Sequence, residues 1–237
     1  MKKTLLTILA TLGFAGNANA DFYDGCDIPP DKDVQVHNVV SVSGDEDGPQ
    51  VNYTGIVKYV PEPGIFILGA FGATDGKPND PVFGLGYVID KELGKGSEYL
   101  SILPMLQGAV HLDGSGVALL PTLLATAMIG PVTIDPRVQV PIDVDQEGLH
   151  PQALAVGATT GVQVAENLRI GLDVVGSYAF EARQASAPDF TAIMRYDLQP
   201  RGTSWLEFEI GSDTNGNAHA AAQYRMSFWG VKNDSTM

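Results

Sequence analysis

The chain has 237 residues, of which 44% are hydrophobic and 18% are charged, and this composition excludes an intrinsically disordered protein. Acidic residues outnumber basic ones by 28 to 14, and the resulting net charge of −14 argues against binding to nucleic acid. After the N-terminal segment there is no apolar run of about 18 residues or more, the length that a membrane-spanning helix requires.

The first 20 residues have the three parts of a secretory signal peptide. Lys2 and Lys3 supply the positive charge, residues 5–15 form the apolar segment, and residues 17–20 offer a cleavage site with small side chains. A buried N-terminal helix is the alternative, and the shortness of the apolar segment argues against it. We therefore expect cleavage after Ala20 and export of the protein.

Residues 21–33 show no hydrophobic periodicity, and we predict that they form a periplasmic lead-in segment or a plug. They contain Cys26, the only cysteine of the chain, so an intramolecular disulfide and a cysteine metal cluster are both excluded. Cys26 does not follow the predicted cleavage site directly, which argues against a lipoprotein. We expect an idle thiol or one paired with a partner, and a domain stabilised by its core or by lipid.

Seven strands are predicted between residue 34 and residue 142. They lie near residues 34–43, 50–60, 64–74, 81–90, 98–112, 117–128 and 132–142. Polar loops and tighter turns alternate between them, at residues 44–49, 61–63, 74–81, 91–96, 113–116, 129–131 and 143–148. This alternation places the loops at the outer end of the sheet and both chain termini on the periplasmic side.

Two features of this region weaken the strand assignment. Pro104, Pro121, Pro136 and Pro141 fall inside predicted strands, where proline is tolerated mainly at an edge or a bulge. Residues 117–129 are apolar on both faces, so a short helix is an alternative there.

Five further strands show the clearest alternation of the chain. From Ala218 to Phe228 every second residue is apolar, and the residues between them are mostly polar or small. The same alternation runs backwards through residues 206–210, 190–199, 168–181 and 154–164. Residues 211–217, rich in glycine, asparagine and aspartate, predict the turn before the last strand.

The lengths of these strands and their aromatic residues favour a membrane protein. Most of the strands run to about nine residues or more, whereas strands of soluble proteins have about five or six and membrane-spanning strands about 9–11. Aromatic residues lie near the strand ends, where an interfacial girdle places them: Tyr178, Phe180, Phe190, Tyr196, Phe228 and Trp229. Turns of unequal length at the two ends also match an outer-membrane barrel.

This pattern resembles that of the small Gram-negative outer-membrane β-barrels, the porin-like proteins. The resemblance predicts an all-β protein, an antiparallel up-and-down transmembrane β-barrel of about twelve strands, with ten as the alternative, over residues 34–230. It also implies an outer-membrane location, contact with outer-membrane lipid and lipopolysaccharide, and insertion by the barrel assembly machinery. One departure is the polar tail of residues 231–237, because such proteins commonly end in an aromatic residue.

Charged residues on the polar face of the last strands are the candidate functional residues. We predict that seven of them face the lumen: Arg169, Asp173, Arg195, Asp197, Glu207, Glu209 and Arg225. Glu207, Glu209 and Arg225 are expected to form the central cluster. Cross-strand ion pairs in a plugged interior are one interpretation, and a conductive lumen with a slight cation preference is the other.

The sequence predicts no catalytic residue, no cofactor and no metal site. His111, Asp113 and Ser115 have the residue types of a lipid hydrolase, but their spacing alone does not specify one. We therefore predict a narrow channel or a structural membrane protein with a charged lumen. The alternatives are a soluble periplasmic or secreted β-rich binding protein and an outer-membrane lipid hydrolase.

Overall fold

The computed structural model describes residues 34–45, 48–62, 64–92, 99–114, 116–145, 148–198 and 204–228. The predicted signal peptide, the lead-in segment with Cys26 and the polar tail lie outside the described residues. No helix in the described part is long and apolar enough to cross a membrane.

Twelve antiparallel strands form a single sheet that closes on itself. They are β1 (Val34–Asp45), β2 (Gly48–Glu62), β3 (Ile65–Thr74), β4 (Val82–Tyr87, continued by Ile89–Glu92), β5 (Tyr99–Val110), β6 (Val117–Ile129), β7 (Val132–Gln139, continued by Ile142–Asp145), β8 (Gly148–Pro151, continued by Ala153–Ala165), β9 (Leu168–Ala179), β10 (Asp189–Asp197), β11 (Trp205–Asp213) and β12 (Ala218–Phe228). Two further two-residue strands, Lys77–Pro78 and Gln184–Ala185, lie in connections. The prediction of twelve strands is confirmed, and the alternative of ten is wrong.

Pairing between the first and last strands closes the barrel. β1 pairs with β2 on one side and with β12 on the other, from Val34 opposite Phe228 to Gly44 opposite Ala218. Every strand therefore has two hydrogen-bonded neighbours, and no edge is left open, as a bilayer requires. We call the end that holds Val34 and Phe228 the terminal end and the opposite one the loop end.

Residues 117–129, for which the sequence allowed either a strand or a short helix, form a strand. β6 spans this whole stretch, so the helix considered from the sequence is wrong. Ala118, Leu120 and Leu124 point inward and are buried, while Leu123 is exposed on the outer face. Both faces are apolar because the inner wall of the barrel is itself apolar at this place.

The outer face of the barrel carries a continuous apolar band. Exposed side chains on it come from all parts of the chain, for example Val40, Leu85, Ile170, Phe208 and Ile210. Their neighbours along each strand point inward and are mostly buried. Because apolar side chains are exposed around the wall and charged ones are enclosed, the barrel is built for a lipid surrounding.

Candidate functional site

All seven side chains that the sequence assigns to the lumen lie on the inward-facing side of their strands. Arg195, Glu207, Glu209 and Arg225 are buried, and Arg169, Asp173 and Asp197 are partly buried. The register of the sheet places Arg195 opposite Glu207, and Arg225 opposite Trp205. The structure therefore brings most of these residues into neighbouring positions in the half of the lumen near the terminal end.

A tryptophan that sequence reasoning missed occupies the centre of this group. Trp205 is the largest fully buried side chain of the described residues, with 0% exposure. The guanidinium carbon of Arg195 lies 4.8 Å from its ring centroid and that of Arg225 lies 5.6 Å away. The ring of His37, from β1, meets it edge-on at 5.8 Å. We call His37, Arg195, Trp205, Glu207 and Arg225 the Trp205 cluster.

Asp197 connects the Trp205 cluster to strand β9. It accepts a hydrogen bond from Nε of Arg195 at 2.9 Å, and its second oxygen lies 3.8 Å from Nε of Arg169. One carboxylate thus faces two guanidinium groups on neighbouring strands, which compensates positive charge at the terminal end of the lumen.

A second ionic group lies on β7, β8 and β9. Arg137, which sequence reasoning also missed, donates two hydrogen bonds to Asp173, at 2.8 and 2.6 Å, and a third to Thr159 at 3.0 Å. Thr159 in turn donates to Asp173 at 2.6 Å. Gly157 leaves the room for this arrangement, because a Cβ there would stand only 3.0 Å from the guanidinium carbon. We call Arg137, Thr159 and Asp173 the Arg137 clamp.

The predicted central cluster of Glu207, Glu209 and Arg225 lies on the neighbouring strands β11 and β12 and has further partners. Glu209 accepts a hydrogen bond from the side-chain amide of Gln223. Arg225 stacks near Trp205, which is its direct cross-strand neighbour, while Glu207 lies between Arg195 and Gln223 in the register. These charged side chains therefore have arginine, amide and aromatic neighbours.

The inner wall of β2 to β6 contains an apolar cluster beside uncharged polar side chains such as Gln107 and Thr122. Strands β2 to β6 contribute buried side chains that pack on one another: Val60, Phe66, Leu68, Val88, Leu103, Met105 and Leu124. We call these residues the apolar lumen cluster. Among the side chains that the structure describes, the buried charged ones lie on β7 and on β10 to β12.

Side chains fill the middle of the lumen. Inward-facing residues from most strands are almost fully buried, whereas the lining of a wide water-filled pore would be exposed to solvent. Arg169 and Asp173 depart from this, since their side chains are 16% and 15% exposed, and both lie on β9. Gly171, which has no side chain, lies between them on the same face of β9.

The loop end carries three histidines, each beside a carboxylate. Nδ1 of His111 lies 2.7 Å from Asp80, Nε2 of His150 lies 3.2 Å from Asp145, and Nδ1 of His219 lies 3.6 Å from Asp189. Asp80 also accepts from the backbone N–H of Leu112, so it anchors the connection after β5. Ser115, the nucleophile that a hydrolase would need, lies outside the described residues. In the described part, no three His, Cys, Asp or Glu side chains are placed to hold a metal ion.

The chain therefore forms a twelve-stranded barrel whose inner surface has both ionic and apolar parts. Solved structures with this fold include the NanC porin (TM-score 0.55, 9% identity, covering 84% of this chain and 100% of that one) and the KdgM porin (0.55, 11%, 82% and 99%). An outer-membrane channel of Pseudomonas putida F1 is also similar (0.58, 9%, 85% and 97%). The chain therefore has the porin fold that its strand pattern predicts. No family profile and no curated protein matches the sequence.

Proposed function

We propose that the protein is a narrow channel in the outer membrane of a Gram-negative bacterium. The single observation that carries this proposal is the closed barrel with an apolar outer band and enclosed arginine and carboxylate groups. Charged groups line an interior only where they meet water, ions or one another, and the partly exposed side chains on β9 meet water.

The packing of the lumen supports a small or gated conductance and not a wide pore. The Trp205 cluster and the apolar lumen cluster face each other across the half of the barrel near the terminal end. Solutes would pass beside β9, along Asp173 and Arg169. The slight cation preference derived from the sequence stays a prediction, and the reversal potential under a salt gradient measures it.

The structural membrane protein is the second candidate function, and one observation favours it. The Arg137 clamp satisfies its own charges internally, as expected of a plugged interior whose ion pairs only stabilise the fold. Under both functions the partners we propose are outer-membrane lipid, lipopolysaccharide and the barrel assembly machinery. Neither of these functions includes an enzymatic activity.

Two measurements test the proposal in sequence. The protein in a urea-washed outer-membrane fraction is run on a gel with and without boiling, and we expect a mobility shift that marks a detergent-resistant barrel. The purified full chain is then reconstituted in a planar bilayer, where discrete small current steps are expected. A shift without any current favours the structural role, and recovery in the soluble periplasm without a shift contradicts the membrane barrel and supports the binding-protein alternative.

A further inference from the structure

Two prolines interrupt the hydrogen-bond ladders of neighbouring strands at one place in the wall. The β4–β5 ladder runs to Gly86 opposite Met105 and resumes at Ile89 opposite Ile102. Pro104 lies in this gap and has no N–H to donate. On the other side of β4 the ladder to β3 continues in register, because Val88 donates its N–H to the carbonyl of Gly64 at 2.7 Å.

Pro121 produces the second interruption, between β6 and β7. Val140 donates its N–H to the carbonyl of Pro121 at 3.1 Å, and proline cannot return a hydrogen bond. Pairing stops at Thr122 opposite Gln139 and resumes at Leu119 opposite Ile142. In the intact β5–β6 ladder Pro121 lies opposite Leu106, two residues along β5 from Pro104, so both gaps flank the same hairpin at the same height.

An apolar groove of about 660 Å³ opens on the outer face at this place. Tyr87, Leu106, Leu123 and Val138 line it beside the two prolines, and its lining contains no charged residue. It is continuous with the lipid-facing band of the barrel, in which the side chains of Leu85, Leu106 and Leu123 are exposed. Hydrocarbon is therefore the material that fills it.

The apolar lumen cluster lies directly behind the groove. Met105 belongs to that cluster and also lines the groove, so the two apolar regions meet at this residue. Gly86 lines the groove as well, and a Cβ on it would come within 2.5 Å of the ring of Phe66, which covers it on the lumen side. Between the groove and the lumen there is thus little more than a glycine backbone and one flexible methionine.

We propose that this part of the wall, across β4 to β7, is a lateral passage by which a solute with a long hydrocarbon chain moves between the lumen and the bilayer. The proposal rests on the proposed channel function and adds a substrate class to it. A polar solute would lose its water along this route without finding partners, whereas a hydrocarbon chain stays in apolar contact from Leu103 to Leu123. The missing ladder hydrogen bonds on both sides of the β5–β6 hairpin weaken the wall at this place.

Photolabelling of the full chain in phosphatidylcholine vesicles tests the passage. The probe is hexadecanol carrying a diazirine near the end of its chain, and mass spectrometry locates the adducts. We expect adducts on the groove and also on Phe66 and Leu103, which belong to the apolar lumen cluster and do not line the groove. Adducts on outward-facing groove residues alone would mean that the groove holds bilayer lipid only, and labelling no stronger than at Ile170 and Leu172 would mean that there is no site; either result overturns the proposal.

Two variants separate the passage from the channel itself. Met105→Gln places an amide where the chain passes, and we expect lumen adducts to fall about tenfold, equivalent to about 1.4 kcal/mol. The matched control is Met194→Gln, on the lipid-facing side of β10, which leaves the labelling unchanged. Pro104→Ala restores an N–H donor to the β4–β5 gap and is expected to lower lumen labelling in the same direction.

Ion conductance is recorded for each of these variants. If the wild type conducts ions but its lumen residues are not labelled, the lateral passage is contradicted and the channel function is still supported. Absent conductance in a wild type that labels on both sides contradicts the channel. Lumen labelling that neither Met105→Gln nor Pro104→Ala lowers rules out this part of the wall as the route.

Discussion

At the scale of single residues, the interior of the barrel is governed by the cost of enclosing charge. The guanidinium group of Arg137 faces Asp173 within hydrogen-bond distance. Those of Arg195 and Arg169 face Asp197 within hydrogen-bond or ion-pair distance. Removing one member of a buried pair leaves the other without compensation, whereas replacing both by apolar groups can be neutral. Breaking one of these ion pairs is therefore expected to lower the free energy of unfolding strongly, whereas an intact pair adds little to it.

The Arg137 clamp gives the sharpest test of this argument. Asp173→Leu is expected to destabilise the barrel by about 3–5 kcal/mol, because Arg137 is 5% exposed and would keep an uncompensated charge. The double variant Arg137→Leu with Asp173→Leu is expected to recover most of that loss. Urea unfolding of the refolded barrel in detergent, followed by gel mobility, measures both. A double variant as unstable as the single one would contradict the charge argument.

Trp205 is predicted to set the size of the lumen. Trp205→Ala removes the largest side chain from the level where Arg195, Arg225 and His37 converge, so we expect a larger single-channel conductance. Phe208→Ala is the matched control, since it removes an aromatic ring from the lipid-facing side of the same strand and is expected to leave the conductance unchanged. Equal conductance of the wild type and Trp205→Ala would place the constriction elsewhere.

The sequence predicted the inward-facing charges better than their partners. Alternation along β9 to β12 is enough to assign a face to Arg169 or Glu207, because the period of a strand is two. Trp205 lies two residues before Glu207 and therefore on the same face of the strand. The same alternation, extended by one residue, would have predicted that its side chain faces the lumen. Arg137 had the same signal, because Asp135, Arg137 and Gln139 alternate with apolar residues along β7. The partner of His37 could not be predicted, because only the closed register brings His37 beside Trp205.

At the scale of elements, each strand has an apolar outward face, which suits lipid, and an inward face that packs against the lumen. On β11 the odd-numbered positions point into the lumen and Phe208 and Ile210 face outward, with Phe208 49% exposed. In the bilayer that exposure is favourable, whereas in water it would favour aggregation. The two faces of this strand therefore suit two different solvents.

Substitutions on the two faces of β11 are predicted to have unequal effects on insertion. Phe208→Arg places a charge toward the lipid at a cost of about 2–4 kcal/mol near the bilayer midplane, so less folded barrel should reach the outer membrane. Leu206→Arg is expected to act in the same direction. Glu207→Gln keeps the size of a lumen side chain and is expected to insert normally. The heat-modifiable fraction in membranes measures this, and equal losses on both faces would contradict the assigned orientation.

The number of strands could be predicted from the sequence, but the interruptions of their hydrogen-bond ladders could not. Alternation and turn residues located all twelve strands, since each strand must carry its own apolar face to the lipid. Over β6 the pattern failed to distinguish strand from helix, because the apolar lumen cluster makes the inner face apolar as well. The four prolines looked like errors in the assignment, whereas Pro104 and Pro121 lie at interruptions of real ladders.

At the scale of the whole molecule, closure depends on the two ends of the chain. β1 and β12 are the most distant strands in sequence, and the barrel is incomplete until they pair. Bringing them together requires the longest loop closure of the fold, which makes it a late and slow step. Closure also completes the Trp205 cluster, since His37 lies on β1 while Arg225 lies on β12. The lumen is therefore assembled in the same step that seals the wall.

A cysteine pair across the seam is predicted to test this closure directly. Val40 and Ala222 are Cα partners on β1 and β12 and lie on the outer face of the barrel. Partners in an antiparallel pair have Cα atoms about 4.5–5.5 Å apart, within the range that a disulfide bridges. In a Cys26→Ser background, we expect Val40→Cys with Ala222→Cys to form an intramolecular disulfide under mild oxidation. The linked chain should migrate anomalously after boiling and return to normal migration with reductant.

The control for the β1–β12 disulfide is a pair of cysteines that are equally exposed but lie on strands that are not neighbours in the sheet. Val40→Cys with Ile170→Cys meets that condition, because β1 and β9 are not neighbours in the sheet, and no intramolecular link is expected. Link formation in both pairs would mean that the cysteines react in an unfolded chain, which the same oxidation in urea identifies. Link formation in neither, from protein that is heat-modifiable, would mean that β1 and β12 pair in a different register or stay apart. In that case the meeting of His37 and Arg225 at Trp205 loses its basis, because that contact depends on the seam.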